Sequence, residues 1–384
     1  MAESGAVKLR IEKLVAGGDG LGFLDGKAVF APFALPGETI LARVAAQKKD
    51  YCRAEMLELL EPSPRRVEAS CPLYGLCGGC NLQHLDYSGQ LEAKSRIVEE
   101  AFARMAKLET GPVPIAPSTP FAYRNRMQLH FTKEGRLGLA RRSSAELVEL
   151  PGCPIACGPV DAWISSRAGT SLAREELGQR LNGADRFLVF GYRGEAWVEG
   201  LRDRVEVEVA GRIIRFRIQG FFQSNLSLLD AFAREATEGL SGERAADLYC
   251  GVGLFGSFLA SSFGSVVCVE ENAASLAMAR ENLPGGKGEF HAQSTEAWTL
   301  SASARAPFDL VLADPPRTGL APVARKWLAE AKPGRIVYLS CDPATLARDA
   351  GELLRSGYEL ESIKAFDFYP QTGHVECHAR FKLR

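Results

Sequence analysis

The first part of the chain alternates apolar and polar positions with a period of two, as strands with one buried face do. Residues 7–15, 28–31, 39–46 and 54–60 carry this alternation. Gly17-Gly18-Asp19-Gly20, Asp25-Gly26 and Pro36-Gly37 separate the runs as turns. The pattern predicts a five-stranded barrel of the oligonucleotide-binding type, the alternative being an ordinary small β unit. Pro62-Ser63-Pro64 closes it. Helical spacing follows over 87–105, with Leu91, Lys94, Ile97, Val98 and Ala101 on related faces. Residues 110–220 mix short strands and loops and have the weakest pattern. From 222 onward, helix-like segments alternate with continuously apolar strands at 245–249, 266–269, 310–313 and 336–339. This predicts βαβ units around a parallel sheet. The expected division is a small β-barrel over 1–62, a central α+β unit over 63–220 and an α/β domain over 221–384.

Composition adds limits. A chain of 384 residues with 46% hydrophobic positions can build several cores. No apolar run reaches the eighteen residues that suggest a membrane span. Residues 1–10 lack the apolar core of a signal peptide. A cytoplasmic protein is expected, in which ten cysteines serve as ligands, nucleophiles or packing residues rather than disulfides. A net charge of −1 gives no global signal for nucleic acid, so any RNA-binding face must be local. Arg124, Arg126, Arg141 and Arg142 form one candidate face, and Arg212, Arg215 and Arg217 another.

The chemistry concentrates at strand ends. Asp247-Leu248-Tyr249-Cys250-Gly251-Val252-Gly253 sits where a strand hands over to a helix, and glycines there allow close approach to a ligand. Glu270 ends the next strand, where an acid accepts hydrogen bonds from ribose hydroxyls. The third glycine of a dinucleotide loop is missing, which favours S-adenosylmethionine over NAD. Asp314-Pro315-Pro316-Arg317 follows another apolar strand and should face the methyl donor and a substrate base. Amino-methyltransferases place an aromatic residue where Arg317 stands. Cys341 lies at a strand end ahead of a helix whose N-terminus is expected to lower its pKa. Glu376 lies on the expected last strand between apolar Val375 and Cys377. A thiolate, a base and a methyl donor in one pocket suit methylation of uracil C5, a carbon that is not nucleophilic unaided. Cys250 is the rival thiol, expected to line the cofactor site instead.

Phe221-Phe222-Gln223-Ser224-Asn225 and the stretches 247–253, 314–317, 340–349 and 372–376 together resemble the RNA uracil-5 methyltransferase family. The resemblance runs along most of the chain. It implies a Rossmann-like class I methyltransferase domain, with Cys341 as nucleophile and Glu376 as the base that removes the C5 proton. It also implies that Gln223, Tyr249, Gly251, Gly253, Glu270 and Asp314 hold S-adenosylmethionine. Leu254 departs from the family, where a polar residue is common, and puts one minor cofactor contact in question. The N-terminal unit resembles the TRAM domain of the rRNA-directed members, which makes 23S rRNA the expected partner of a monomeric enzyme. A tRNA uracil-5 methyltransferase is the alternative, and a noncatalytic RNA-binding or assembly factor a further one. The target base must leave its stack, and Phe221 or Phe222 could receive it.

Cys71, Cys77 and Cys80 form one short loop, and Cys153, followed by Pro154, is a plausible fourth thiol. Spacing alone leaves zinc and an iron–sulfur cluster open. The resemblance implies a [4Fe-4S] cluster on these four, with Cys157 left out. Uracil methylation transfers no electrons, so a structural or RNA-binding role is expected of the cluster.

Overall fold

The computed structural model describes residues 6–384, and the first five positions of the expected 1–62 unit lie outside the described residues. Strands β1 (Ala6–Leu14), β2 (Gly20–Leu24), β3 (Lys27–Ala31), β4 (Thr39–Gln47) and β5 (Tyr51–Glu61) close into a barrel in the order β1-β2-β3-β5-β4. Leu9, Ile11, Val29, Ala31, Ile40, Ala42 and Ala54 fill it, at alternating positions along their strands. The sequence pattern misses β2 because it begins inside a glycine-rich turn. Its Gly22 is needed for packing, since a Cβ there would overlap the Arg10 backbone.

The middle of the chain begins with α1 (Tyr87–Ala101), capped by Asp86, whose carboxylate accepts the Gly89 N–H at 2.7 Å. A wider π-type turn, Phe102–Ala106, prolongs it and ends at Lys107 in the left-handed conformation. Then come β6 (Ile115–Ala116), β7 (Arg126–Phe131), β8 (Leu137–Ala140), β9 (Leu147–Glu149), α2 (Gly158–Ser165), α3 (Leu172–Leu177), β10 (Arg186–Tyr192), β11 (Glu195–Val198), β12 (Arg204–Val209) and β13 (Arg212–Arg217). Strands β11-β10-β7-β8-β9 form one sheet, with a core of Leu129, Phe131, Val160, Ile164, Phe187 and Val189.

The last part comprises α4 (Leu229–Thr237), β14 (Gly242–Leu248), α5 (Leu254–Leu259), β15 (Phe263–Glu270), α6 (Ala273–Asn282), β16 (Gly288–Ala292), α7 (Thr295–Thr299), β17 (Leu310–Ala313), α8 (Pro322–Ala331), β18 (Arg335–Ser340), α9 (Pro343–Arg355), β19 (Tyr358–Phe366) and β20 (Glu376–Leu383). The sheet order is β16-β15-β14-β17-β18-β20-β19-β6. Strands β14 to β18 are parallel, and β20 inserts antiparallel between β18 and β19. Apolar layers cover both faces, which is why these strands read as unbroken hydrophobic runs.

Two segments of the expected 63–220 unit join this sheet instead. Val98 and Phe102 of the α1 region pack on its one face, and β6 pairs with β19 at its edge. Val205, Val207, Ile214 and Phe216 of the β12–β13 hairpin fill the core of the other face. A period-two hairpin shows that it has a buried side, but not which core that side enters.

Candidate active site

Three of the expected residues meet at the carboxyl ends of the central strands. Cys341 stands between β18 and α9, Asp314 follows β17, and Glu376 opens β20 with 5% exposure. Burial pushes the Glu376 carboxyl well up, neighbouring Asp314 pushes it further, and Arg317 opposes both. Burial also lifts Asp314 to about 7. The Cys341 thiol is pushed up to about 11 by burial and then by Glu376, while the Arg317 guanidinium reaching the sulfur pulls it back.

That direction corrects the expectation of a thiol lowered by the helix N-terminus. The free amides of α9 are already taken, because Asp342 caps the helix and its carboxylate accepts the N–H groups of Ala344 (2.9 Å) and Thr345 (3.0 Å). Pro343 has no N–H to offer. The cation that serves the thiol is Arg317, which the sequence marked only as a missing aromatic. His374 is held neutral, lowered to about 4 by burial and by the nearby cations Arg317, Lys94 and Arg124. A cavity of about 230 Å³ opens onto Cys341, walled by Arg317, Asp342, Gly373, His374 and the barrel residues Ala16 and Gly17.

A second cavity of about 230 Å³ lies beside it, lined by Tyr249, Val269, Glu270, Glu271, Thr295, Glu296 and Pro316. Tyr249 carries a positive φ of 60°, and Gly251 and Gly253 follow at 53° and 74°. This left-handed path turns β14 sharply into α5. The Glu270 carboxylate accepts the N–H groups of Gly251 (3.0 Å) and Asn272 (2.8 Å), so it holds the turn and faces the cavity at once. Tyr249 donates its hydroxyl to Glu296 at 3.1 Å. Glu296 was missed by the sequence reading, which passed over β16. The strand-end rule applied to residues 288–292 would have found its surroundings. Three carboxylates, an aromatic ring and apolar Val269 suit a ribose and a base. Gln223 is buried, in the segment joining β13 to α4.

Other expectations resolve by burial. Cys250 is packed against Cys268 beneath the turn, and this contact together with burial keeps its thiol neutral. It belongs to the core rather than to the lining of the site. Phe222 stacks on Phe216 at 4.1 Å within the core and cannot meet a base, whereas Phe221 is 63% exposed. Leu254, the family departure, is buried in the same core. Arg215 is tied to Glu206 at 2.9 Å and Arg142 to Asp19 at 3.3 Å, so neither of these two is wholly free for phosphate.

Cys71, Cys77, Cys80 and Cys153 line one cavity of about 370 Å³, with Tyr74, Gly78, Gly79, Gln83 and Arg124. Cys157 is absent from its lining and sits in the central core, where a Cβ on Gly191 would meet its sulfur at 2.5 Å. Burial raises the Cys80 thiol to about 12, and its neighbours Cys153 and Cys77 add to the rise. Among the described residues, no three His, Cys, Asp or Glu side chains are grouped to hold one metal ion. No helix among them is long and apolar enough to cross a membrane.

Residues 303–382, which include Asp314, Cys341 and Glu376, match the family described as tRNA (Uracil-5-)-methyltransferase. Residues 224–332 match the Methyltransferase small domain. An RNA methyltransferase of Treponema denticola is 33% identical over 97% of this chain and 98% of its own length. The 23S rRNA (uracil(1939)-C(5))-methyltransferase RlmD of Azoarcus sp. is 33% identical over 97% and 98%. Among solved structures, the tRNA (uracil-54, C5)-methyltransferase of Pyrococcus abyssi, in complex with S-adenosyl-L-homocysteine, superimposes with a TM-score of 0.74. It is 26% identical, over 97% of this chain and 99% of that one. Similarity that spans barrel, central unit and catalytic sheet alike makes this chain a member of the RNA uracil-5 methyltransferase family, enzymes that methylate RNA from S-adenosylmethionine.

Proposed function

We propose that this protein forms 5-methyluridine in 23S rRNA. The observation that carries the chemistry is the grouping of half-buried Cys341 and Asp314 with buried Glu376 and exposed Arg317 at the sheet's carboxyl edge. The choice of RNA rests on full-length relatives named for 23S rRNA. Bound S-adenosylmethionine would supply an electrophilic methyl group on its sulfonium, held by Tyr249, Gly251, Gly253, Glu270, Asp314 and Gln223. Cys341 adds its sulfur to uracil C6, which moves the ring's electron pair onto C5 and O4 and makes C5 nucleophilic. Once C5 is methylated, Glu376 accepts the C5 proton, the double bond reforms and the thiolate leaves C6. The target base is flipped out to reach Cys341, and exposed Phe221 offers it a stacking face.

The four cysteines lining one cavity support a [4Fe-4S] cluster on Cys71, Cys77, Cys80 and Cys153. Zinc on the same four thiols is the alternative. The cluster's role is structural, or lies in RNA binding, and the barrel serves as a TRAM-type RNA-binding unit. The enzyme acts as a cytoplasmic monomer. A tRNA substrate is the second reading, favoured by the Pyrococcus abyssi tRNA enzyme, whose structure matches 97% of this chain, N-terminal region included.

The test is labelled methyl transfer to unmodified 23S rRNA and to tRNA transcripts. Label on rRNA that Cys341→Ala abolishes is the expected result. Glu376→Gln should complete methyl transfer and remain covalently attached to RNA on a denaturing gel. Label on tRNA alone overturns the substrate, and activity in Cys341→Ala overturns the covalent mechanism.

A further inference from the structure

Barrel, cysteine loop and catalytic sheet converge on the loop that precedes Glu376. The Gln371 carbonyl accepts the backbone N–H groups of Asn81 at 3.0 Å and Leu82 at 2.9 Å. Asn81 follows Cys80 directly, and its carboxamide works in two directions. Its Nδ2 donates to the Gly17 carbonyl of the barrel turn at 2.5 Å, and its Oδ1 accepts the Gly373 N–H at 3.0 Å. Gly17 and Gly373 are themselves walls of the Cys341 cavity. Backbone meets backbone here. A Cβ on Gly373 would overlap Gly17 and Gly18, and a Cβ on Gly18 would lie 2.7 Å from Asn81 Nδ2.

We infer that Asn81 is a positioning residue for methyl transfer, locking the barrel turn against the Glu376 loop so that a docked barrel completes the Cys341 pocket. Asn81 does not line that pocket, and acts on it through Gly17 and Gly373. The barrel is also held by Arg142 to Asp19 at 3.3 Å and by Lys13 to Glu100 of α1, but without Asn81 its turn would lose this tie to the Glu376 loop, and the pocket the fixed position of one wall. The kinetic part of this inference rests on the uridine-methylation reading; the structural part does not.

Two variants separate the arms of the contact. Asn81→Asp keeps an acceptor for the Gly373 N–H but turns an oxygen toward the Gly17 carbonyl. Asn81→Ala removes both arms. The backbone bonds to Gln371 survive in each, so the loop keeps its path. Hydrogen exchange should quicken at residues 16–18 in both variants, and at 373–376 in Asn81→Ala alone. With RNA, Asn81→Asp should raise KM and leave kcat within about twofold, while Asn81→Ala should lose roughly 10- to 100-fold in kcat. Binding of S-adenosylhomocysteine should be unchanged. Wild-type exchange in both variants overturns the inference, as does a uniform quickening over the whole chain, the mark of a merely structural role. If the local exchange pattern appears but the wild-type enzyme methylates no RNA offered, the positioning role stands and the uridine reading falls.

Discussion

A thiol pushed up to about 11 is a poor nucleophile at neutral pH, and this sets the enzyme's response to acidity. The group is neutral below its pKa, so the thiolate fraction rises with pH throughout the neutral range. Glu376, also raised, becomes a competent base in the same direction. On the proposed mechanism Glu376 acts only after the methyl has moved, so the thiol alone sets the slope, and log kcat/KM for methyl transfer should climb by about one unit per pH unit between roughly pH 6 and 9. Arg317 is the nearby cation that opposes the rise. Arg317→Gln should move the profile to higher pH and lower the rate at pH 7.5, with labelled transfer at saturating cofactor as the assay. A plateau from pH 7 upward in the wild type would show that burial does not control this thiol. The strand-end place of Cys341 ahead of a helix is legible in the sequence, since it is a local feature. Its acidity is not, because the determining neighbours, Glu376, Asp314 and Arg317, come from separate loops.

The turn from β14 to α5 stores its own titration. Asp247 is fully buried, and its Oδ2 accepts the Gly256 N–H at 2.7 Å while Oδ1 has no partner. Burial, assisted by Asp314 and Glu270, lifts its carboxyl to about 8. Unfolded, the same group titrates near about 3.9. Between those values the folded chain holds a proton that the unfolded chain has lost. The stability linked to Asp247 is therefore present in full below the lower value, and falls as pH rises through the window, by at most about 1.4 kcal/mol per unit. Asp247→Asn keeps the acceptor for Gly256 and cannot ionise. Its stability relative to wild type should grow from pH 5 to pH 8 in paired urea titrations, and parallel curves would refute the assignment. The turn itself is readable from Gly251 and Gly253, and the parallel strands from their apolar runs. Strand β20 is not readable as an antiparallel insertion, because its place depends on pairing with β18 far back in the chain. Nor does local pattern assign α1 and the β12–β13 hairpin to the catalytic sheet, since either amphipathic element fits any available core.

At the scale of the molecule, the Glu376 loop is where separate units are bolted together. Gln90 of α1 exchanges hydrogen bonds with Gln371 through Nε2 (2.9 Å) and Oε1 (2.8 Å), and Tyr123 donates to the Pro370 carbonyl at 3.0 Å. The strongest tie is Lys94 to Asp367, at 2.5 Å with both side chains 0% exposed. Lys94 also donates to the Tyr369 carbonyl at 3.0 Å. This explains a lysine on the apolar face of α1, where periodicity places it with Ile97 and Val98. Burial lowers the Lys94 pKa, and Asp367 opposes that by favouring the charged form. An ion pair this deep is costly to form and costlier to halve, because removing one partner strands the other without water. Lys94→Met should therefore cost about 3–5 kcal/mol in urea unfolding. Adding Asp367→Asn removes the stranded charge and should restore part of that loss, so the double variant should be more stable than Lys94→Met alone. A loss below about 1 kcal/mol for Lys94→Met, the range of exposed pairs, would mean that water reaches the pair. In that case α1 would not be the anchor that fixes the base loop to the sheet.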